Sequence, residues 1–100
     1  MSTNNSIKHN TYRDGMLQSL EFLTKDNQSA SIGVILPGTY NLGKAKRQET
    51  ILIVSGSLTV ILKNGYDTWQ PTDAVTHVFK KGQEIKFTCA EPVVYYCLYN

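Results

Sequence analysis

The sequence predicts an all-β fold, a sandwich or barrel of short strands. Three observations carry this. Short runs rich in Val, Ile, Leu, Tyr and Phe alternate with polar residues. Gly, Pro and Asn interrupt them about every ten residues. No window keeps apolar residues at the helical period.

Taken in order, Leu17 to Leu23 mixes apolar and polar residues, as a strand with one wet face does. Ser31 to Leu36 is short and aliphatic and stops at the turn pair Pro37-Gly38. Tyr40 and Leu42 alternate with Asn41, and Gly43 to Gln48, carrying Lys44, Lys46 and Arg47, reads as a basic loop. Thr50 to Val54 is β-branched and leucine-rich, and Ser55-Gly56-Ser57 breaks it.

Leu58 to Lys63 alternates cleanly, and Asn64-Gly65 is the strongest turn signal of the chain. Trp69 opens an extended piece closed by Pro71, and Val75 to Phe79 follows. Lys80-Lys81-Gly82 is a charged turn. Ile85, Phe87 and Cys89 alternate with Lys86 and Thr88. Ala90-Glu91-Pro92 is the next turn. Val93 to Tyr99 closes the chain, with Tyr95, Cys97 and Tyr99 on one side.

A chain of 100 residues supports one modest core and no separate cofactor domain. The polar stretch 1–10 is expected to be a flexible tail and 11–100 the barrel domain. Hydrophobic residues make up 41% and charged residues 18%, which excludes a disordered chain and a coiled coil. A net charge of +2 gives no argument for nucleic acid. No apolar run reaches the roughly 20 residues of a membrane helix, and the start lacks the apolar region of a secretory signal. Cys89 and Cys97 sit in apolar segments without C-x-x-C spacing. They read as buried, reduced thiols of a cytoplasmic protein.

Glu49 is followed by six residues and Gly56. This E-x6-G spacing is half of a signature of the cupins, small jelly-roll β-barrels. It would put Glu49 on an inward strand position, with Ile51 and Ile53 on the same side, and Gly56 in the turn beyond. A metal-binding cupin also carries H-x-H shortly before that Glu and a His on a later strand. Here those slots hold Leu42 and Lys44, or Gly43 and Ala45, and then Ile85. None ligates as imidazole does, so no metal is expected.

Over residues 10 to 99 the chain resembles a family of small single-domain cupins, the pyrimidine/purine nucleoside phosphorylases. The resemblance lies in Asn10 to Phe22 (NTYRDGMLQSLEF), Ala30 to Tyr40 (ASIGVILPGTY) and Glu49 to Gly56. It continues in Asp67-Thr68-Trp69-Gln70, Ala90-Glu91-Pro92 and Tyr95 to Tyr99. It implies phosphorolysis: nucleoside plus inorganic phosphate gives free base and ribose 1-phosphate. It also implies broad base tolerance, no cofactor beyond the phosphate co-substrate, no metal, and a homodimer. One block departs from the family pattern G-x5-P-G-H. Ala74 stands at its first glycine, Lys80 and Lys81 at the Pro-Gly pair, and Gly82 at the His slot.

Phosphorolysis needs cations for a dianion and a group that hydrogen-bonds or protonates the leaving base. Arg47 is the best phosphate candidate because its planar fork matches the anion. Lys80 and Lys81 are further candidates, and all three also fit a solvated surface turn. Glu49 could hold ribose hydroxyls or steady the developing positive charge; it could equally be a buried carboxylate paired with Arg47. Tyr40 and Tyr95 could stack on the base or simply fill the core. His77 could act as an acid near neutral pH, or be a satisfied core or rim histidine. Trp69 is expected to cover the rim or a dimer contact. The competing function is a non-catalytic cupin binding module for a nucleoside, sugar or small anion. A third is a structural dimer with a vestigial pocket.

Overall fold

The computed structural model describes residues 6–72 and 76–100. Among the described residues ten strands form two antiparallel sheets. They are β1 (Lys8–Tyr12), β2 (Leu17–Leu23), β3 (Ser29–Ile35), β4 (Gly38–Lys44), β5 (Glu49–Ser55), β6 (Leu58–Leu62), β7 (Gly65–Trp69), β8 (His77–Phe79), β9 (Glu84–Cys89) and β10 (Val93–Tyr99). One sheet runs β1-β2-β3-β10-β5-β8 and the other β4-β9-β6-β7. The expected all-β class is the observed one. Among the described residues the sheets remain two separate hydrogen-bonded layers, without joining into a closed ring.

Alternation builds the core. Ile51 and Ile53 point inward on β5, Val60 on β6, Phe79 on β8, Phe87 on β9 and Val93 on β10; all are buried. Trp69 is buried too, between the His77 and Phe79 rings, rather than covering the rim. It enters the core because β7 already runs from Gly65 and ends at Trp69, which pairs with inward-facing Leu58. The β6–β7 hairpin turns at Lys63-Asn64, one residue before the expected Asn64-Gly65 pair.

The N-terminal boundary also differs from expectation. Lys8, His9 and Asn10 lie within the stretch read as tail, yet they pair with Glu21, Leu20 and Ser19. A polar strand can do this because the ladder uses backbone groups, and β1 is a sheet edge. Its connection to β2 is tight, with Arg13 and Asp14 at φ 54° and 56°.

Gly56 sits at φ 86° in the turn after β5, and a Cβ there would lie 2.4 Å from the Pro92 carbonyl oxygen. Only glycine fits that turn without displacement. The outer faces of the sheets differ in character. On the six-stranded sheet one row reads Leu20, Ile32, Tyr96, Leu52 and the next Phe22, Ala30, Leu98, Thr50, Val78. On the four-stranded sheet the matching row is Thr39, Thr88, Thr59, Thr68. Among the described residues no helix is long and apolar enough to cross a membrane.

Candidate functional site

Between the sheets lies a cavity of about 560 Å³, within the usual range for small-molecule sites. Its inner wall is apolar: Leu17, Ile35, Ile51, Leu58, Phe79 and Phe87. Its solvent side carries Arg13, Lys44, Lys46 and Arg47 together with Glu21 and Glu49. Four cations face two carboxylates, so the lining favours an anion.

Strand register assembles the centre. Tyr99 pairs with Glu49 across β10 and β5, so both reach the inner face side by side. Arg47, in the loop before β5, lays its guanidinium over the Tyr99 ring, 4.2 Å from the centroid. A cation held on an aromatic face keeps its in-plane N–H groups available. The Tyr99 hydroxyl and Ser31 Oγ are 2.8 Å apart, which steadies the ring from behind.

Arg47 pairs with Glu21 rather than with Glu49. Its Nη2 lies 3.5 Å from Glu21 Oε2 and 3.4 Å from Ser29 Oγ. Glu21 accepts further hydrogen bonds from Asn10 Nδ2 (3.3 Å) and Ser29 Oγ (3.5 Å). Glu49 instead receives the Cys97 thiol, with Sγ 3.9 Å from Oε1. Burial pushes the Glu49 pKa above the ordinary carboxylate value; the thiol contact and the Arg47 charge pull the other way without cancelling it. Burial raises the Cys97 thiol to about 12, helped by the nearby Glu49 carboxylate.

Tyr95 lines the cavity. Its ring crosses β3 at Gly33, and its hydroxyl is hydrogen-bonded to Ser19 on β2. Burial lifts its pKa above the free-phenol value, so it stays a neutral hydroxyl.

The other three expected site residues lie elsewhere. Tyr40 is buried, donates its hydroxyl to the Leu36 carbonyl at 2.7 Å, tilts against Phe87 and does not line the cavity. His77 stacks on Trp69, with centroids 4.5 Å apart and planes within 8°, where β7 and β8 meet. Lys80 is exposed, and its backbone N–H donates to Gln83 Oε1. The turn at 80–83 is pinned to Ala45 by two backbone hydrogen bonds, yet neither Lys80 nor Lys81 joins the lining. The departure from the family pattern at Lys80-Lys81 is therefore outside the cavity wall. Its other position, Ala74, lies outside the described residues.

Arg13, Glu21 and Tyr99 were not singled out as site residues from the sequence. Arg13 reaches the cavity from the β1–β2 turn and donates to the Asn41 carbonyl, tying that hairpin to β4. Lys44 reaches it across a bulge in β4 that has Gly43 at φ 79°. Among the described residues no three His, Cys, Asp or Glu side chains converge as a metal cluster would require.

The sequence profile of the pyrimidine/purine nucleoside phosphorylases matches residues 7–99. The chain belongs to that family. A relative of that name from Magnetococcus marinus is 35% identical over 95 residues, covering 94% of this chain and 99% of its own. One from Escherichia coli O1:K1 is 32% identical over 94 residues, covering 93% and 98%. Among solved structures, a Vibrio parahaemolyticus protein of unknown function superposes with TM-score 0.84 at 28% identity, covering 95% of this chain and 99% of that one. A cupin-2 domain from Rhodospirillum rubrum superposes with TM-score 0.73 at 12% identity, covering 94% and 69%, a likeness of fold alone.

Proposed function

We propose that this chain is a nucleoside phosphorylase, converting purine and pyrimidine nucleosides and inorganic phosphate to free base and ribose 1-phosphate without a metal. The observation that carries this is the placement of Arg47 on the Tyr99 ring beside Glu49, inside a cationic cavity. The family relation supports the reaction class.

Arg47 takes the phosphate, aided by the charge of Lys44, Lys46 and Arg13. The apolar inner wall accepts the sugar and base and excludes water, which would otherwise compete with phosphate. Tyr95 offers a neutral hydroxyl to the substrate.

Glu49 is the acid. A phosphate oxygen forms a bond to the anomeric carbon while the glycosidic C–N bond breaks. The electron pair of that bond goes to the base nitrogen, and the base takes the Glu49 proton. The phosphate O–H then returns a proton to Glu49, so the cycle closes without another reactant. A carboxyl that burial makes a weaker acid than usual suits this role, while Glu21, tied to Arg47, orients the guanidinium.

The test is base release from a panel of nucleosides with and without phosphate. Release that requires phosphate supports the enzyme. Thermal stabilisation by nucleosides without release would favour a binding module instead, and neither effect would leave both readings without support.

A further inference from the structure

We infer that Arg13 is a second guanidinium ligand of the phosphate and that it leaves the Asn41 carbonyl to reach the anion. This rests on the phosphate-dependent reaction proposed above and names the group that completes its anion site. Arg13 and Arg47 line the same cavity but come to it from different layers. Arg47 lies against Tyr99 and Glu21 of the six-stranded sheet. Arg13 is held at Asn41 on β4, in the four-stranded sheet.

The backbone supplies the first reason. Arg13, Asp14 and Gly15 are left-handed in succession, at φ 54°, 56° and 86°. Glycine adopts this conformation freely and aspartate tolerates it, whereas an arginine there carries a steric cost. Costs of this kind cluster at ligand clamps. The contact that Arg13 makes is one hydrogen bond between exposed groups, its Nη2 donating to the neutral Asn41 carbonyl. Water can replace either partner, so that bond offsets little of the cost.

Charge and geometry supply the second. Among the described residues Arg13 has no carboxylate partner. Arg47, by contrast, already engages Nη2 with Glu21 and Ser29. Phosphate has four oxygens, and three must be held if the fourth is to attack the anomeric carbon. One guanidinium with an arm engaged does not hold three; two do, each through its planar fork. Lys44 and Lys46 add charge to the lining but no fork. A charge-assisted bond to phosphate is stronger than one to a neutral carbonyl, so the anion draws Arg13 from Asn41.

The experiment is calorimetric titration of the full chain with inorganic phosphate and, separately, with uridine. Arg13→Asn removes the charge and places in the turn a residue suited to positive φ. Its phosphate dissociation constant is expected to rise about tenfold. Its uridine dissociation constant should stay near the wild-type value, and its melting temperature should be no lower. Arg13→Lys keeps the charge without the fork and should fall between. Phosphate bound equally well by Arg13→Asn and wild type overturns the inference and leaves the proposed reaction standing. So does an equal loss for phosphate and uridine with a lower melting temperature, which would make Arg13 only a tie between the sheets. A wild type that binds no phosphate overturns both.

Discussion

The ring of Tyr95 lies flat across Gly33: a Cβ on that glycine would sit 2.4 Å from Tyr95 Cζ and from its hydroxyl oxygen. The missing side chain lets an aromatic from β10 reach over β3 to Ser19 on β2. Gly33→Ala should therefore swing the ring away. The expected loss is about 1–3 kcal/mol of stability, as for overpacking, together with weaker nucleoside binding. Tyr95→Phe keeps the packing and should lose only the hydroxyl contact, so comparing melting temperature and KM for the two variants separates crowding from chemistry.

Arg47 makes its contacts through a planar fork on the Tyr99 ring and at Glu21. A hydrogen bond to a charged group contributes about 1.5–3 kcal/mol. Arg47→Ala should raise KM for phosphate by about ten- to a hundredfold, with less effect on KM for nucleoside. Arg47→Lys should recover part of the affinity. Steady-state kinetics with phosphate varied checks this.

Glu49 has a raised pKa because of burial. A carboxyl whose folded pKa exceeds its unfolded value stabilises the fold most at low pH. That contribution fades as pH climbs from the ordinary value of 4.5 through the folded one. Glu49→Gln lacks the titration. Its melting temperature relative to wild type should rise across that window and then level off. Activity should fall about a hundredfold or more, as for loss of a general acid, and the wild-type rate should decline on the alkaline side.

Gly56 combines φ 86° with a carbonyl oxygen where a Cβ would be. Gly56→Ala should destabilise by more than about 1 kcal/mol, read as a lower denaturation midpoint. A value near zero would mean that the turn relaxes.

Both cysteines are buried, and burial raises both thiols, Cys97 to about 12. Native protein at mild pH should resist a thiol reagent, and both thiols should react once the chain is unfolded.

The parts of the fold legible in the sequence were those with local signals. Ser31 to Leu36 shows its aliphatic run, and Glu49 and Gly56 show their spacing. Strand β1 was not legible because Lys8 to Tyr12 is polar and carries no pattern; its partner, β2, supplies the reason for its shape. The turn at Arg13-Asp14 lacks the glycine or asparagine that positive φ favours at both positions. Glu49, Arg47 and Tyr95 border the cavity because their own segments point them inward. Glu21 and Tyr99 reach Arg47 only through pairings of distant strands, which periodicity cannot reveal. For Tyr40 and His77, parity identified the inner face correctly. It could not say whether that position borders the cavity or the packed core, where Leu36 and Trp69 claim them.

The most direct test of the central claim is phosphorus NMR of wild-type protein with a nucleoside and inorganic phosphate. The account predicts that the phosphate signal falls as a sugar phosphate ester signal grows, one ester for each base released. Base released without an ester would make the protein a hydrolase, and no ester and no base with folded protein would contradict the account outright.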